Sequence, residues 1–295
     1  MNLILLSNSK SGNGRAAETS ANFERILRDA GHTTSIVQTR NGSTTDALAG
    51  PLANADALIV LGGDGTLHSA IDAAIHAAKP VYQVPLGTEN LFAREFGMDE
   101  RPETLLRALE ARTIVEVDAA TCNGRSFVLM LSVGPDASVI HRLERSRVGS
   151  ISHLSYVRPV IAEAVDPTLA HLTVEVDGRE VVKHQRGLLV VANSRQYALR
   201  IDPARRAEMD DGQLDVVFFP GDSRIDLIGW ALTARLGTHL RSENLVYERG
   251  SRVRITSPTE APVQLDGEAA GTAGQNGHGL NLAIAERKLR VLVPA

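Results

Sequence analysis

A glycine-rich turn with a single carboxylate, Gly62-Gly63-Asp64-Gly65-Thr66, is the segment of this sequence best suited to chemistry. The apolar run 57–61 before it predicts a buried strand, and apolar residues at helical spacing follow it from 67 to 78. A strand, a glycine turn and a helix N-terminus together present backbone N–H groups to an anion, so the turn predicts a phosphate site. Asp64 would repel phosphate unless a metal ion or a proton transfer involved it. The alternative is a tight turn in which Asp64 caps a helix.

Two further polar loops also follow predicted strands. The loop 7–15, with Lys10 and Arg15, follows the strand 3–6, and the loop 87–90 follows the strand 81–85. Strands alternate with helices as far as residue 112, which predicts a parallel, doubly wound sheet. Since the carboxyl ends of parallel strands share one edge, we expect all three loops to meet there. For the loop 7–15 the alternative is a solvated connection between strand and helix.

The pattern changes after residue 113, where short strands separated by Asp-Gly turns predict an antiparallel β domain. The predicted strands are 113–118, 126–133, 173–176, 187–192, 213–219, 252–256 and 280–284. The tail 288–293 is a candidate for one more strand that returns to the first domain. A helix predicted at 224–241 combines Trp230 with arginines, which suits a membrane interface, but packing on the β domain is the favoured interpretation.

Composition excludes several classes of protein. The 295 residues carry a net charge of −4, which argues against nucleic acid as a partner. The single cysteine, Cys122, excludes an intrachain disulfide and fits a reducing cytoplasm. No apolar run approaches the ~18 residues that span a bilayer, so we expect no transmembrane segment. A lipid partner would therefore be reached from the membrane surface, and a homodimer is left open.

Six short motifs follow one another along the chain: Gly62-Gly63-Asp64-Gly65-Thr66, Pro85-Leu86-Gly87-Thr88-Glu89-Asn90, Val117-Asp118, Ser132-Val133-Gly134-Pro135-Asp136-Ala137, Asp211-Gly212-Gln213-Leu214-Asp215 and Asp266-Gly267-Glu268. In the order of these motifs, the sequence resembles the diacylglycerol kinase catalytic-domain family, which includes bacterial lipid kinases and sphingosine kinase-like proteins. The resemblance implies an α/β N-terminal domain, doubly wound and phosphofructokinase/NAD kinase-like, over 1–118 and completed by 286–295. It also implies an antiparallel β-sandwich C-terminal domain over 119–285 that carries a lipid pocket.

The resemblance further implies a kinase that uses ATP and Mg²⁺ to phosphorylate a lipid hydroxyl, that of diacylglycerol or of a lipid alcohol such as a sphingoid base. The implied nucleotide contacts are Asn8, Ser9, Lys10, Ser11, Thr39, Gly62, Gly63, Asp64, Gly65, Thr66, Leu67, His68 and Thr88. The implied acidic cluster is Asp64, Asp118, Asp266 and Glu268, in which Asp266 or Glu268 would be the base. A structural Mg²⁺ is implied at Asp211 and at the backbone carbonyls near Glu208 and Gln213, and Asp118 is a further candidate metal ligand.

Several parts of the sequence depart from the family pattern. Glu89 replaces a small residue, Leu91 replaces an aspartate of the acidic network, and the segment 194–197 replaces a glycine cluster. These departures leave two alternatives to a lipid kinase. The first is a kinase for a soluble acceptor such as NAD, and the second is a non-catalytic lipid-binding protein.

Overall fold

The computed structural model describes residues 1–7, 16–38, 43–145, 163, 167–274 and 279–295. The chain divides into two compact units. Among the described residues, the first unit holds Met1–Val117 and Arg287–Ala295, and the second unit holds those between Asp118 and Glu286. Within these ranges no helix is long and apolar enough to cross a bilayer.

The first unit is a six-stranded sheet with helices connecting its strands. Numbered along the whole chain, its strands are β1 (Asn2–Ser7), β2 (Thr33–Gln38), β3 (Ala57–Gly62), β4 (Val81–Pro85), β5 (Ile114–Val117) and β17 (Leu289–Leu292). Its helices are α1 (Ala16–Asp29), α2 (Thr44–Ala53), α3 (Asp64–Ala77), α4 (Leu91–Glu95) and α5 (Pro102–Ala111). The strand order is β2-β1-β3-β4-β17-β5, and only β5 pairs antiparallel, with β17.

Burial on both faces explains why β3 is a continuous apolar run, since every residue from Ala57 to Leu61 is fully buried. The chain leaves β1 for β2 on one side and returns to β3 on the other. The order in which strands are added to the sheet therefore reverses between β1 and β3, which makes this place a topological switch point. Open α/β sheets bind ligands at the carboxyl ends of the strands at such a point. The turn that follows β3 begins there.

The C-terminal strand β17 belongs to the sheet of the first unit. It lies between β4 and β5, and Val291 pairs with Val81 on one side and Val115 on the other. Leu289 and Val291 are fully buried, so the last residues of the chain supply part of the core of the first unit.

The second unit is an eleven-stranded antiparallel sheet for which two α-helices and two short 3-10 helices, Ala198–Arg200 and His239–Arg241, are described. Its strands are β6 (Ala120–Cys122), β7 (Arg125–Phe127), β8 (Met130–Val133), β9 (Ala170–Val176), β10 (Arg179–Ala192), β11 (Leu214–Pro220), β12 (Val246–Gly250), β13 (Arg252–Thr256), β14 (Ala261–Leu265), β15 (Glu268–Ala273) and β16 (Leu280–Ile284). Its α-helices are α6 (Pro135–Arg145) and α7 (Arg224–Leu236). The predicted fold class, an α/β unit followed by an antiparallel β unit, is confirmed.

Two strand predictions need correction. The single strand predicted at 126–133 is two strands, β7 and β8, because the N–H groups of Val128 and Leu129 donate to the carboxylate of Asp266 instead of a neighbouring strand. The strand predicted at 113–118, the first of the strands grouped with the antiparallel domain, is β5 and pairs with β17 in the sheet of the first unit.

Candidate active site

The two glycine turns of the first unit are in backbone contact. A methyl group on Gly87 would lie 2.6 Å from the Cα of Gly63 and 2.8 Å from the Oδ1 of Asn90. The N–H of Leu86 donates to the carbonyl of Gly62 at 3.3 Å. Glycine is required at both positions because a side chain would separate the turns. The expected meeting of the loops after β3 and β4 is confirmed, whereas the third loop lies, from residue 8 to 15, outside the described residues.

Asp64 joins the same two turns through its side chain. Its Oδ2 accepts a hydrogen bond from the N–H of Leu91 at 2.9 Å, and its Oδ1 accepts one from the N–H of Phe92 at 3.2 Å. Asn90, at the N-cap of α4, makes no capping bond because its side chain pairs with the backbone of Gly87. Asp64 therefore supplies the acceptor that the first turn of α4 requires.

The helix that Asp64 itself begins, α3, has no side-chain cap, since its N-cap residue is Gly63. This arrangement lets a bound anion accept hydrogen bonds at the first turn. The predicted nucleotide contacts from Gly62 to His68 lie at the end of β3 and in the first turns of α3, and Thr88 lies in the neighbouring turn. Asn8, Ser9, Lys10, Ser11 and Thr39 lie outside the described residues.

Gln83 is a site residue that sequence reasoning missed. It is fully buried on β4, where its Nε2 donates to the carbonyl of Gly62 at 3.2 Å and its Oε1 accepts from the N–H of Ala93 at 2.9 Å. Its side chain thus ties the glycine turn to α4. The signal in the sequence was an amide in the middle of an otherwise apolar strand.

The two departures in this loop have defined environments. Leu91, at the family's aspartate position, is 8% exposed and begins α4. The carboxylate of Glu89 lies 3.8 Å from the guanidinium of Arg94. The charge that Glu89 adds is therefore balanced within the first unit.

In the second unit, Asp266 is the acceptor for three consecutive backbone amides. Its Oδ2 accepts from Val128 at 2.9 Å, and its Oδ1 accepts from Leu129 at 2.8 Å and Met130 at 2.9 Å. The side chain is buried, and the backbone of Asp266 is left-handed, with a φ of 49°. These bonds hold the turn that places Glu268 at the start of β15.

Asp118 is likewise bonded to backbone. It is 1% exposed, its Oδ2 accepts from the N–H of Gly212 at 2.7 Å, and its own N–H donates to the carbonyl of Met209 at 2.6 Å. The buried amide of Asn193 donates to the carbonyl of Asp118 at 2.8 Å. Asp118 therefore anchors the 209–212 turn of the second unit.

At the predicted structural Mg²⁺ site, the carboxylate of Asp211 already has a positively charged partner. Asp211 accepts from the N–H of Gln213 at 3.0 Å, and its other carboxylate oxygen pairs with the guanidinium of Arg249. Glu208 is exposed. Across the described ranges, no group of three or more His, Cys, Asp or Glu side chains is placed to hold a metal. Arg249 supplies the positive charge at Asp211, and the metal assignment of Glu208, Asp211, Gln213 and Asp118 stays a prediction.

A hydrogen-bonded chain of side chains links the atypical 194–197 segment to the Asp266-Gly267 turn. The carboxylate of Asp136 accepts from the hydroxyls of Tyr197 and of Ser132, the latter at 2.5 Å. Gln264 donates to Ser132 at 2.9 Å and accepts from the N–H of Gly267 at 2.8 Å. Asp136 belongs to a motif of the sequence, but this hydrogen-bonded chain could not be predicted, because it joins segments far apart in sequence.

Burial raises the pKa of both titratable groups at one end of this chain, Asp136 and Tyr197. Desolvation raises the pKa of Asp136 above its ordinary value, although the hydroxyls of Ser132 and Tyr197 oppose this rise. Desolvation also raises the pKa of Tyr197, and the neighbouring carboxylate of Asp136 adds to the rise. Tyr197 is therefore a hydrogen-bond donor to Asp136 at neutral pH.

We predict that Gly87→Ala lowers the free energy of unfolding by about 1–3 kcal/mol, because the new methyl group would overlap the backbone of Gly63. Urea unfolding followed by circular dichroism measures this loss. Gly50→Ala is the matched control, since a methyl group at Gly50 in α2 meets nothing within 4 Å and alanine favours a helix. Equal stability of the two variants would show that the glycine turns do not need close contact.

We predict that Arg249→Met makes the melting temperature respond to Mg²⁺, whereas EDTA and Mg²⁺ leave that of the wild type unchanged. Without its guanidinium partner, Asp211 would gain a counter-ion from Mg²⁺, which should raise the melting temperature by about 2–4 °C. Arg179→Met is the control, because Arg179 forms an ion pair with Glu248 at 2.6 Å in which no predicted metal ligand takes part. A rise with Mg²⁺ in the wild type would instead support the metal site implied by the sequence.

We predict that Asp136→Asn flattens the pH dependence of stability. The pKa of Asp136 is raised in the folded protein, so the folded state holds its proton more tightly than the unfolded state does. The free energy of unfolding of the wild type should fall as the pH rises from the unfolded pKa, about 4, through the raised folded pKa. Asparagine cannot ionise, so the variant should lack this fall.

Urea unfolding at a series of pH values tests this prediction, with the exposed Asp46→Asn as the control that keeps the wild-type slope. Parallel curves for the wild type and Asp136→Asn would contradict it.

Domain models of known families match nearly the whole chain. The diacylglycerol kinase catalytic domain matches residues 2–122, and the YegS C-terminal NAD kinase beta sandwich-like domain matches residues 129–293. The solved structure of a diacylglycerol kinase from Bacillus anthracis str. Sterne has a TM-score of 0.69 at 16% identity, covering 99% of this chain and 96% of that chain. A further solved chain from that organism has a TM-score of 0.76 at 17% identity, with the same coverage. These likenesses concern the fold.

Several curated proteins are similar in sequence. The diacylglycerol kinase of Staphylococcus aureus (strain bovine RF122 / ET3-1) is 26% identical over 279 residues, 91% of this chain and 84% of that protein. The diacylglycerol kinase of Bacillus subtilis (strain 168) is 23% identical over 254 residues, 83% of this chain and 82% of that protein. An uncharacterized protein of Synechocystis is 23% identical over 221 residues, and that match spans 73% of this chain but about half, 51%, of the relative. The chain belongs to the family that joins a diacylglycerol kinase catalytic domain to a YegS-type C-terminal domain.

Proposed function

We propose that this protein is a lipid kinase that transfers the γ-phosphate of ATP, with Mg²⁺, to the hydroxyl of diacylglycerol or of a related lipid alcohol such as a sphingoid base. The observation that carries the proposal is the contact between the two glycine turns, fixed by Asp64 at the carboxyl ends of β3 and β4. A helix N-terminus without a side-chain cap, beside these closely packed glycine turns, suits the phosphates of a nucleotide. A lipid acceptor would make the reaction part of phospholipid metabolism. Because ATP is the donor, the reaction would take place in the cytoplasm or at the cytoplasmic face of a membrane.

Phosphoryl transfer depends on positioning and on charge stabilisation rather than on covalent chemistry. The backbone N–H groups of the glycine turn before Thr66 would bind the phosphates, and Asp64 would keep this turn in place through Leu91 and Phe92. When bound with ATP, Mg²⁺ supplies neutralisation of the phosphate charge. Asp64 thus acts as a positioning group, and its removal would disturb the turn itself.

Between the two candidate bases, the hydrogen bonds favour Glu268. Asp266 is 4% exposed and accepts three backbone N–H donors, which suits a role in holding the turn. Glu268 is part-buried and stands two residues further along, at the start of β15. We assign to its carboxylate the proton of the lipid hydroxyl, a task that contributes about 10²–10⁴-fold to the rate.

The test is transfer of the ATP γ-phosphate to a panel of lipids in mixed micelles with Mg²⁺. We predict that Glu268→Gln lowers kcat by about 10²–10⁴-fold, because glutamine cannot accept the proton, while the melting temperature is kept. Glu260→Gln is the control, since Glu260 is exposed in the loop before β14 and should keep wild-type kcat. Asp64→Ala should lose both activity and stability, through the two amides that it leaves unpaired.

Two other outcomes of this assay identify other functions. Phosphorylation of NAD in preference to every lipid would establish a kinase for a soluble acceptor, a reading favoured by the NAD kinase-like second domain. Saturable lipid binding without transfer at any Mg²⁺ concentration would establish a non-catalytic lipid-binding protein. The buried Leu91 in place of an acidic residue favours that reading.

A further inference from the structure

Exposed aliphatic side chains are concentrated on α7. Seven large hydrophobic residues are exposed in the described part of the chain, and four of them lie on this helix: Ile225 (74%), Ile228 (57%), Leu232 (59%) and Leu236 (67%). Their spacing of three, four and four residues places all four on one face of the helix. We call this face the α7 stripe. An apolar stripe turned toward solvent is unusual for a helix of a globular domain and marks an interaction site.

The opposite face of α7 attaches the helix to the sheet of the second unit. Ala234 is 1% exposed, and the indole N–H of Trp230 donates to the carbonyl of Pro220 at 2.7 Å. The Trp230 ring packs edge-on against Phe219, with 5.4 Å between the ring centroids. A capping box at Ser223 begins the helix, and Gly237 ends it in a left-handed conformation. The α7 stripe therefore takes no part in holding the helix in place.

Positive charge lies beside the α7 stripe although the whole chain carries a net charge of −4. Arg224 and Arg235 are exposed, and at helical spacing both fall on the same flank of the stripe, next to Ile228. Arg205 adds a third guanidinium, which donates to the carbonyls of Ala234 and Arg235 at 3.1 and 3.3 Å. The acidic residue of the helix, Asp226, lies on the other flank and is engaged by the Ser223 hydroxyl and the N–H groups of Asp222 and Ser223.

We propose that α7 docks on the surface of an anionic bilayer, with the α7 stripe at the acyl boundary and Arg224 and Arg235 at the lipid phosphates. An interfacial helix needs only such a stripe with basic residues beside it. A second copy of the chain is a poorer match, because four aliphatic side chains offer a few hundred Å² and a stable interface takes about 800 Å² from each partner. The proposal rests on the proposed function, which places the acceptor in a membrane.

Vesicle flotation of the full chain tests this proposal, with vesicles of equal parts phosphatidylcholine and phosphatidylglycerol. Leu232→Glu should weaken binding at least about tenfold, because it places a charge in the middle of the stripe. Ile114→Glu, at an exposed isoleucine on β5 of the first unit, is the control that should bind as the wild type does. Arg224→Gln with Arg235→Gln should remove the preference for these vesicles over vesicles of phosphatidylcholine alone.

The proposal would be overturned if Leu232→Glu bound vesicles as well as the wild type does while the two proteins had the same melting temperature. A wild-type dimer in sedimentation that Leu232→Glu converts to a monomer would also overturn it, if the wild type then bound no vesicles. Transfer to lipids in mixed micelles is measured on the same proteins. Micellar transfer without vesicle binding would overturn the docking proposal alone, whereas vesicle binding lost in Leu232→Glu without any lipid transfer would support docking and overturn the lipid kinase.

Discussion

Hydrogen bonds from backbone amides to aspartate carboxylates hold the motif loops in place, and the candidate site depends on them. Asp64 accepts from two amides 27 and 28 residues away, and Asp266 accepts from three amides 136 to 138 residues away. A buried amide without an acceptor costs about 1–3 kcal/mol. Each carboxylate removes this cost for two or three amides at once, and so stabilises the closed loop. The backbones can approach this closely because Gly63 and Gly87 have no side chains.

These bonds change how the motif acids should be interpreted. A carboxylate in a kinase motif suggests metal binding or base catalysis, yet three of the four predicted acids, Asp64, Asp118 and Asp266, accept hydrogen bonds from distant backbone amides. Loss of activity in an alanine variant of any of them would therefore combine a chemical effect with displacement of a loop. A readout of stability has to accompany each activity measurement, and Glu268 is the better position at which to isolate chemistry.

Local periodicity made most of the fold predictable. The helix indicated by the apolar spacing from 67 to 78 is α3, and the apolar run 57–61 is a strand buried on both faces. Long-range pairing could not be derived in this way. The break between β7 and β8 arises because amides at 128 and 129 bond to residue 266, and the ion pair of Asp211 with Arg249 joins residues 38 apart. No local pattern in the sequence encodes such partners.

The helix α7 shows the same limit at a surface. The sequence favoured packing on the β domain, and Trp230 and Ala234 do pack there, but periodicity alone does not say which of two apolar faces is covered. The attached face uses one large ring and a small residue, and the outer face has the larger number of aliphatic side chains. A stripe of this size gives membrane binding that is reversible, because its apolar area is far smaller than that of a spanning helix. Reversible binding would suit the proposed lipid kinase, which would take its acceptor from a bilayer and its phosphate donor from water.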